Sequence, residues 1–130
     1  MKKFLSVFIV ILFSLNSFSQ KLNSQKYVQS KIYNNEDVQV KAEFPNGEKK
    51  FNEFVIENFK TPYDKNIKFE IVVNFIVEID GTISNVKIIK DAGKGTGDEL
   101  KRVLTISPKW LPGEHEGYLV KTKVKFSLNL

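Results

Sequence analysis

The sequence predicts an α+β fold in which a three-stranded antiparallel sheet carries two amphipathic helices on one face. The predicted element order is (β)-α-β-β-α-β. Apolar side chains recur at every second position in residues 67–79 and again in residues 118–130, which is the period of a strand. In residues 48–59 they recur at helical spacing and form one apolar stripe. A hairpin and a returning strand, with helices on one side, give an antiparallel layered domain.

The first elements are a short edge strand and a helix. Residues 38–44 alternate between apolar and polar side chains, which favours a strand. The sequence Pro45-Asn46-Gly47 ends that strand, and Asn46 is predicted to cap the helix at residues 48–59. Pro62 ends the helix region, because the residue before a proline avoids the α conformation.

A β-hairpin is predicted next. The strand at residues 67–79 is followed by Asp80-Gly81, two residues that tolerate positive φ and therefore favour a tight turn. Residues 82–90 return with apolar side chains, but their alternation slips by one residue. We therefore expect a β-bulge near Ser84-Asn85.

A glycine-rich loop at residues 91–97 precedes the second helix. Thr96 and Glu99 have the spacing of a capping box, in which each side chain bonds the backbone amide of the other. Pro108 ends this helix. Trp110, which stands between two prolines, is predicted to be a buried lid over the junction of helices and sheet.

The last strand, residues 118–130, has the clearest register. A slip of one residue would bury Lys121, Lys123 and Lys125, so these lysines are predicted to face solvent. The lysine stripe is interpreted as a charged face that discourages edge-to-edge aggregation, and a binding stripe is the alternative.

The N-terminus has the pattern of a secretory signal peptide at residues 1–19. Lys2 and Lys3 precede an apolar run of about a dozen residues, which is shorter than the roughly 20 needed to span a bilayer. Ser17 and Ser19 are the small residues expected before a cleavage site. These features predict a periplasmic or secreted protein with no stable membrane span. An inner-membrane protein anchored by an uncleaved signal is the alternative. Residues 20–37 are predicted to be a polar linker or arm, and residues 38–130 the domain.

Composition narrows the classes of function. The formal charge of +5 falls to about +3 if Lys2 and Lys3 leave with the signal, which argues against nucleic acid as a partner. The chain has no cysteine and 11 phenylalanines, so an exported domain would depend on packing rather than on disulfides.

No residue pattern predicts an enzyme. The loop at residues 93–97 lacks the spacing of a phosphate loop, so it is interpreted as a turn with a helix cap. His115, the only histidine, lies between Glu114 and Glu116, which are too few ligands for zinc. We interpret this segment as a solvated loop and expect no cofactor, no metal site and no catalytic residue.

Residues 44–130 resemble the C-terminal domain of the TonB family, in the form common among Bacteroidetes-type energy transducers. The resemblance rests on the order and spacing of turn residues and of one tryptophan between two prolines, around a strand that ends Phe75-Ile76-Val77-Glu78-Ile79-Asp80-Gly81. The matching positions are Pro45, Gly47, Pro62, Asp80, Gly81, Pro108, Trp110, Pro112, Gly113 and Gly117. The family fold is the one that the periodicity predicts.

The resemblance implies a non-enzymatic envelope module linked to TonB-dependent transport. It would bind an extended peptide of an outer-membrane receptor, or of another envelope protein, by strand addition at the edge of the last strand. The matching positions are Tyr118, Leu119, Val120, Lys121, Thr122, Lys123 and Val124.

The chain departs from a full transducer of this family. Its 4 prolines all lie within the domain, so there is no proline-rich linker, and the N-terminal segment lacks a histidine. The resemblance therefore supports the binding mode better than energy transduction. The alternative function is a secreted structural domain that pairs the same edge with a second copy in a homodimer.

Overall fold

The computed structural model describes residues 31–130, and residues 32–130 form one compact unit. The predicted signal peptide at residues 1–19 and the predicted linker as far as residue 30 lie outside the described residues. Within residues 31–130, no helix is long and apolar enough to cross a membrane.

The fold is α+β, as predicted, with two helices and a mixed sheet of five strands. In chain order the elements are β1 (Ile32–Asn34), α1 (Glu48–Asn58), β2 (Glu70–Val77), β3 (Ile83–Lys90), α2 (Thr96–Thr105), β4 (Gly113–His115) and β5 (Tyr118–Asn129). The strand order is β1-β5-β2-β3, and β4 also pairs with β5.

The predicted three-stranded antiparallel sheet is the centre of the observed sheet. Strand β2 pairs antiparallel with β3 on one side and with β5 on the other. The prediction was wrong about the rest, because β1 adds a parallel strand and β4 adds a further antiparallel one. The described end of the predicted linker is therefore ordered structure, since Ile32–Asn34 is a strand and Asn35–Asp37 is a turn of 3-10 helix.

The predicted edge strand at residues 38–44 is wrong. This segment makes only two isolated bridges, from Val40 to Glu114 and from Glu43 to Leu111. The amide of Ala42 donates to the side-chain oxygen of Asn35 at 2.7 Å instead of joining a ladder. Val38, Ala42 and Phe44 of the segment are buried, whereas Val40 is half exposed, so its apolar side chains do not form one face of a strand.

The core lies between the two helices and one face of the sheet, as predicted. Helix α1 buries Phe51 and Val55, and the facing side of β2 is fully buried at alternate positions. Helix α2 contributes Leu100, Val103 and Leu104 to the same cluster. Its periodic apolar face is the reason that the helix packs there.

Both predicted helix caps are wrong. Gly47, not Asn46, is the N-cap residue of α1, and no side chain caps that helix. Thr96 lies inside α2, where its hydroxyl donates to Asp91 or to the carbonyl of Gly93, with oxygen distances of 2.9 and 2.8 Å. Glu99 does not reach back to Thr96, because it is paired with Arg102.

The hairpin of β2 and β3 is confirmed. The amide of Glu78 donates to the carbonyl of Thr82 at 2.8 Å, and Gly81 has a φ of 85°. The predicted bulge is also confirmed, because the register between β2 and β3 shifts between the pairs Asn74–Lys87 and Ile76–Ser84. A second shift, near Lys90, was not predicted.

Candidate partner-binding edge of the sheet

The edge predicted to bind a partner is occupied in part by the chain itself. Residues 118–120 of β5 pair with β4, through a two-residue turn at Glu116-Gly117. Residues 121–123 pair with β1 in parallel. On the side where β1 lies, only residues 121–123 of the predicted partner-binding residues Tyr118–Val124 have a strand partner among residues 31–130. The sequence did not predict β1, because three residues are too few to show the alternation of apolar and polar side chains that marks a strand.

The longer unpaired stretch of β5 on the β1 side begins after Lys123. Thr122 pairs with both Tyr33 of β1 and Val77 of β2, so β1 and β2 lie on opposite sides of β5. Strand β1 ends at Asn34, opposite Lys123, and the chain then turns into the 3-10 helix. Within the described residues no strand pairs with this side of β5 from residue 124 onward.

The direction of the backbone groups at this edge follows from the ladder with β2. Leu130 and Phe69 exchange two hydrogen bonds, of 3.1 and 2.9 Å, so the amide and carbonyl of Leu130 point toward the β2 side. Because antiparallel pairs alternate, the backbone groups of Lys125, Ser127 and Asn129 point away from β2. They form a row of donors and acceptors available to an added strand.

A cavity of about 550 Å³ lies against the beginning of this open edge. Val124 and Phe126 of β5 form one wall, and Phe44 and Phe51 contribute aromatic side chains. The segment around Val40 closes the far side. An extended chain entering here would meet aromatic side chains, the carboxylates of Glu36, Glu43 and Glu48, and free backbone groups on β5.

The opposite face of the sheet is polar and basic. Lys121 is 3.4 Å from Glu78, and Lys90 is 2.9 Å from Glu70. Hydrogen bonds from Lys90 and Ser127 to Glu70 lower the pKa of that carboxyl from its ordinary value. The exposed lysines of β5 confirm the predicted register.

Trp110 is buried, as predicted, and connects the turn of the β2–β3 hairpin to the core. Its ring centre lies 4.9 Å from that of Phe51 and 5.4 Å from that of Phe75. Its amide donates to the carbonyl of Gly81 at 2.8 Å. A Cβ atom on Gly81 would lie 2.2 Å from the Trp110 carbonyl oxygen, so glycine is required there for this contact as well as for the turn.

The glycine-rich loop is organised by a carboxylate. Asp91 accepts hydrogen bonds from the amides of Gly93 and Gly97 and from the hydroxyl of Thr96. The bonds from Gly93 and Thr96 are the leading causes that lower the pKa of Asp91. An anion binding to these amides would compete with that carboxylate, so the geometry supports a turn rather than a phosphate site.

His115 belongs to β4, so the prediction of a loop at residues 114–116 is wrong for its first two residues. The side chain is half-buried, with its ring 5.1 Å from that of Tyr33. Its Nδ1 atom is buried and has no hydrogen-bond partner. Glu116 is its only ion-pair partner among residues 31–130, at 4.0 Å, and no group of potential metal ligands occurs in that part of the chain.

The candidate site is thus the edge of β5 from residue 124 onward, together with the adjoining cavity. The sequence predicted the strand and its solvent-facing lysines, and the assignment of Tyr118–Val124 as partner-binding residues stays a prediction. A comparison of the chain with protein-family models, with curated proteins and with solved structures finds no match.

Proposed function

We propose that the protein is a non-enzymatic binding module of the cell envelope that binds an extended peptide by strand addition. The observation that carries the proposal is the row of outward backbone groups on Lys125, Ser127 and Asn129, beside a cavity that is lined by both aromatic and polar side chains. Main-chain bonds to such a row give affinity, and the pockets beside it select alternate side chains. The resemblance to the TonB C-terminal domain suggests the source of the peptide, an outer-membrane receptor or another envelope protein.

Strand β1 supports this binding mode, because it already pairs with the same edge. Only three residues of β1 pair, and none of them is buried. The edge of β5 therefore accepts a strand whose side chains contribute little to the core. A partner peptide would continue the sheet from Lys123 along residues 124–129.

A proline substitution tests the site without disturbing the central ladder. The amide of Ser127 points away from β2, so Ser127→Pro removes a donor from the open edge and leaves the bonds to β2 in place. Ser127→Ala is the matched control, since it removes the side-chain hydrogen bonds with Glu70 and Asn129 but keeps the backbone amide. The probe is a blocked peptide that alternates valine and glutamine, titrated against the full chain and followed by NMR.

We expect chemical-shift changes at residues 124–129 in the unmodified protein and in Ser127→Ala. In Ser127→Pro we expect binding to be lost with little change in melting temperature. Shifts confined to residues 91–97 or 114–116 would contradict the proposal. So would equal binding by the proline variant.

The alternative is a self-associating structural domain, which exposed apolar side chains at the other end of β5 favour. Leu119 pairs with Glu114, which bridges to Val40, and Leu119 and Val40 are 44% and 50% exposed. Cross-strand neighbours share a face, so these two side chains lie in one row. Sedimentation velocity over a concentration series decides this alternative. A dimer that Leu119→Lys dissociates would favour it, and a monomer throughout would exclude it.

A further inference from the structure

The lysines on the solvent-facing side of the sheet form a row that ends at the open edge. Asn74 of β2 pairs with Lys87 of β3 on one side and with Lys125 of β5 on the other. Paired residues point to the same face, so the three side chains stand side by side across the sheet. On this face, Lys125 is the first residue after Lys123 that β1 leaves unpaired.

Neither lysine of this row has an ion-pair partner in the described part of the chain. The carboxylates nearest to this face are already engaged, because Glu70 binds Lys90 and Glu78 binds Lys121. Lys123, one step along β5, is likewise without an ion pair among residues 31–130. Two strand spacings separate Lys87 from Lys125, about 10 Å, so their charges are only partly screened from each other.

The two faces of an added strand would therefore meet different chemistry. Side chains on one face would point to the cavity beside Val124 and Phe126. Those on the other face would lie about 5 Å from the β5 side chains of the row, where opposite charges attract.

We propose that the partner is an acidic peptide that alternates apolar and carboxylate side chains, with a carboxylate opposite Lys125. This inference rests on the proposed function, because it specifies the peptide that the open edge selects. Such a peptide would place its apolar side chains in the cavity and its carboxylates over the lysine row. The carboxylates of the peptide and their alternation with apolar side chains would give selectivity. The main-chain hydrogen bonds to β5 would give most of the affinity.

Three blocked nonapeptides test the proposal on the full chain at low ionic strength. Each alternates valine with one other residue, which is glutamate, glutamine or lysine. Alternation makes the result independent of the register in which the peptide binds. An opposite-charge pair at an exposed site contributes about 0.2–1 kcal/mol, so we expect the glutamate peptide to bind about 1.4- to fivefold more tightly than the glutamine peptide for each pair formed.

Two charge-reversal variants locate the effect. Lys125→Glu should abolish the preference for glutamate and favour the lysine peptide. Lys101→Glu makes the same charge change on the exposed side of α2 and should leave the preference unchanged. Added salt should weaken the preference in the unmodified protein, because exposed charges are screened.

The outcomes separate this inference from the proposed function. Equal binding of the glutamate and glutamine peptides at residues 124–129 would overturn the acidic partner while strand addition stands. Equal loss of preference in Lys101→Glu and Lys125→Glu would also overturn it, since the effect would then be one of net charge. Failure of all three peptides to bind would overturn the proposed function itself.

Discussion

Single residues connect distant parts of this fold, and Trp110 is the clearest case. Its indole packs on the aromatic side chains of Phe44, Phe51 and Phe75, and its Nε1 donates to the hydroxyl of Ser107 at 3.1 Å. Its backbone holds the hairpin at Gly81. One residue thus joins α1, β2 and the turn that leads to β3.

Trp110→Ala should destabilise the fold by about 3–5 kcal/mol, because it leaves a large cavity among aromatic rings. The neighbouring substitution Leu111→Ala is the control. Leu111 is 60% exposed, so this substitution should lower the free energy of unfolding by less than about 1 kcal/mol. Urea unfolding of both variants measures the difference. Equal midpoints would contradict the structural role of Trp110.

Asp91 makes the stability of the α2 end depend on pH. Hydrogen bonds lower its pKa in the folded state, so its stabilising effect is complete above the unfolded-state pKa of about 3.9. The effect is lost as the pH falls through the lower folded-state pKa. Asp91→Asn keeps an acceptor oxygen but does not titrate.

We therefore expect Asp91→Asn to lower the melting temperature most at neutral pH. The difference from the unmodified protein should shrink between about pH 4 and pH 2, as the native carboxyl becomes protonated. Thermal melts across this range, followed by circular dichroism, give the measurement. A difference that stays constant down to pH 2 would show that the Asp91 charge does not stabilise the loop.

At the scale of elements, β5 organises the sheet, because every other strand except β3 pairs with it. Its apolar side chains alternate with lysines, which fixes which face is buried. Its two sides differ, since β2 follows it from Thr122 to Asn129 whereas β1 covers only residues 121–123. The asymmetry leaves one side of the strand open over its second half.

Amide exchange should report that asymmetry residue by residue. The amides of Val124, Phe126 and Leu128 point toward β2 and should exchange slowly. Those of Lys125 and Ser127 point outward and should exchange faster by orders of magnitude. Hydrogen exchange followed by NMR on the free protein makes the test. Uniform protection from residue 124 to residue 128 would mean that another strand covers the edge, and the candidate site would then be wrong.

At the scale of the whole molecule, β1 and the following 3-10 helix are peripheral to the core. None of the residues from Ile32 to Asp37 is buried, whereas Val38 is. Removing them breaks the pairing with β5 and the hydrogen bonds between Asn35 and Ala42, but it opens no cavity. The compact unit should survive their loss.

A fragment of residues 38–130 should therefore fold, with a free energy of unfolding about 1–3 kcal/mol below that of residues 32–130, from a few lost hydrogen bonds. It should also self-associate more readily, because it exposes a longer unpaired edge. Chemical unfolding and sedimentation velocity of the two fragments compare these properties. If the short fragment is unfolded, β1 is needed for the fold. If it folds but stays strictly monomeric, the unpaired edge of β5 does not drive self-association.

The sequence alone determined the α+β class, both helices, the hairpin with its bulge, the face of β5 that is buried and the burial of Trp110. These features follow from local periods and turn residues, which act within a few positions along the chain. The length of β2 was overestimated, because residues such as Ile67 continue the apolar alternation although the Ile67 amide belongs to a turn with Asp64.

Only the tertiary structure decided which edge of the sheet is open. Strand β1 has three residues and β4 has the polar sequence Gly-Glu-His, so neither shows a period, and both are strands because β5 offers unpaired backbone beside them. Asp91 displaced the predicted capping box because the path of the glycine loop brings its carboxylate to the end of α2. The candidate site depends on where β1 stops, which is a contact between positions far apart in the chain and carries no local signal.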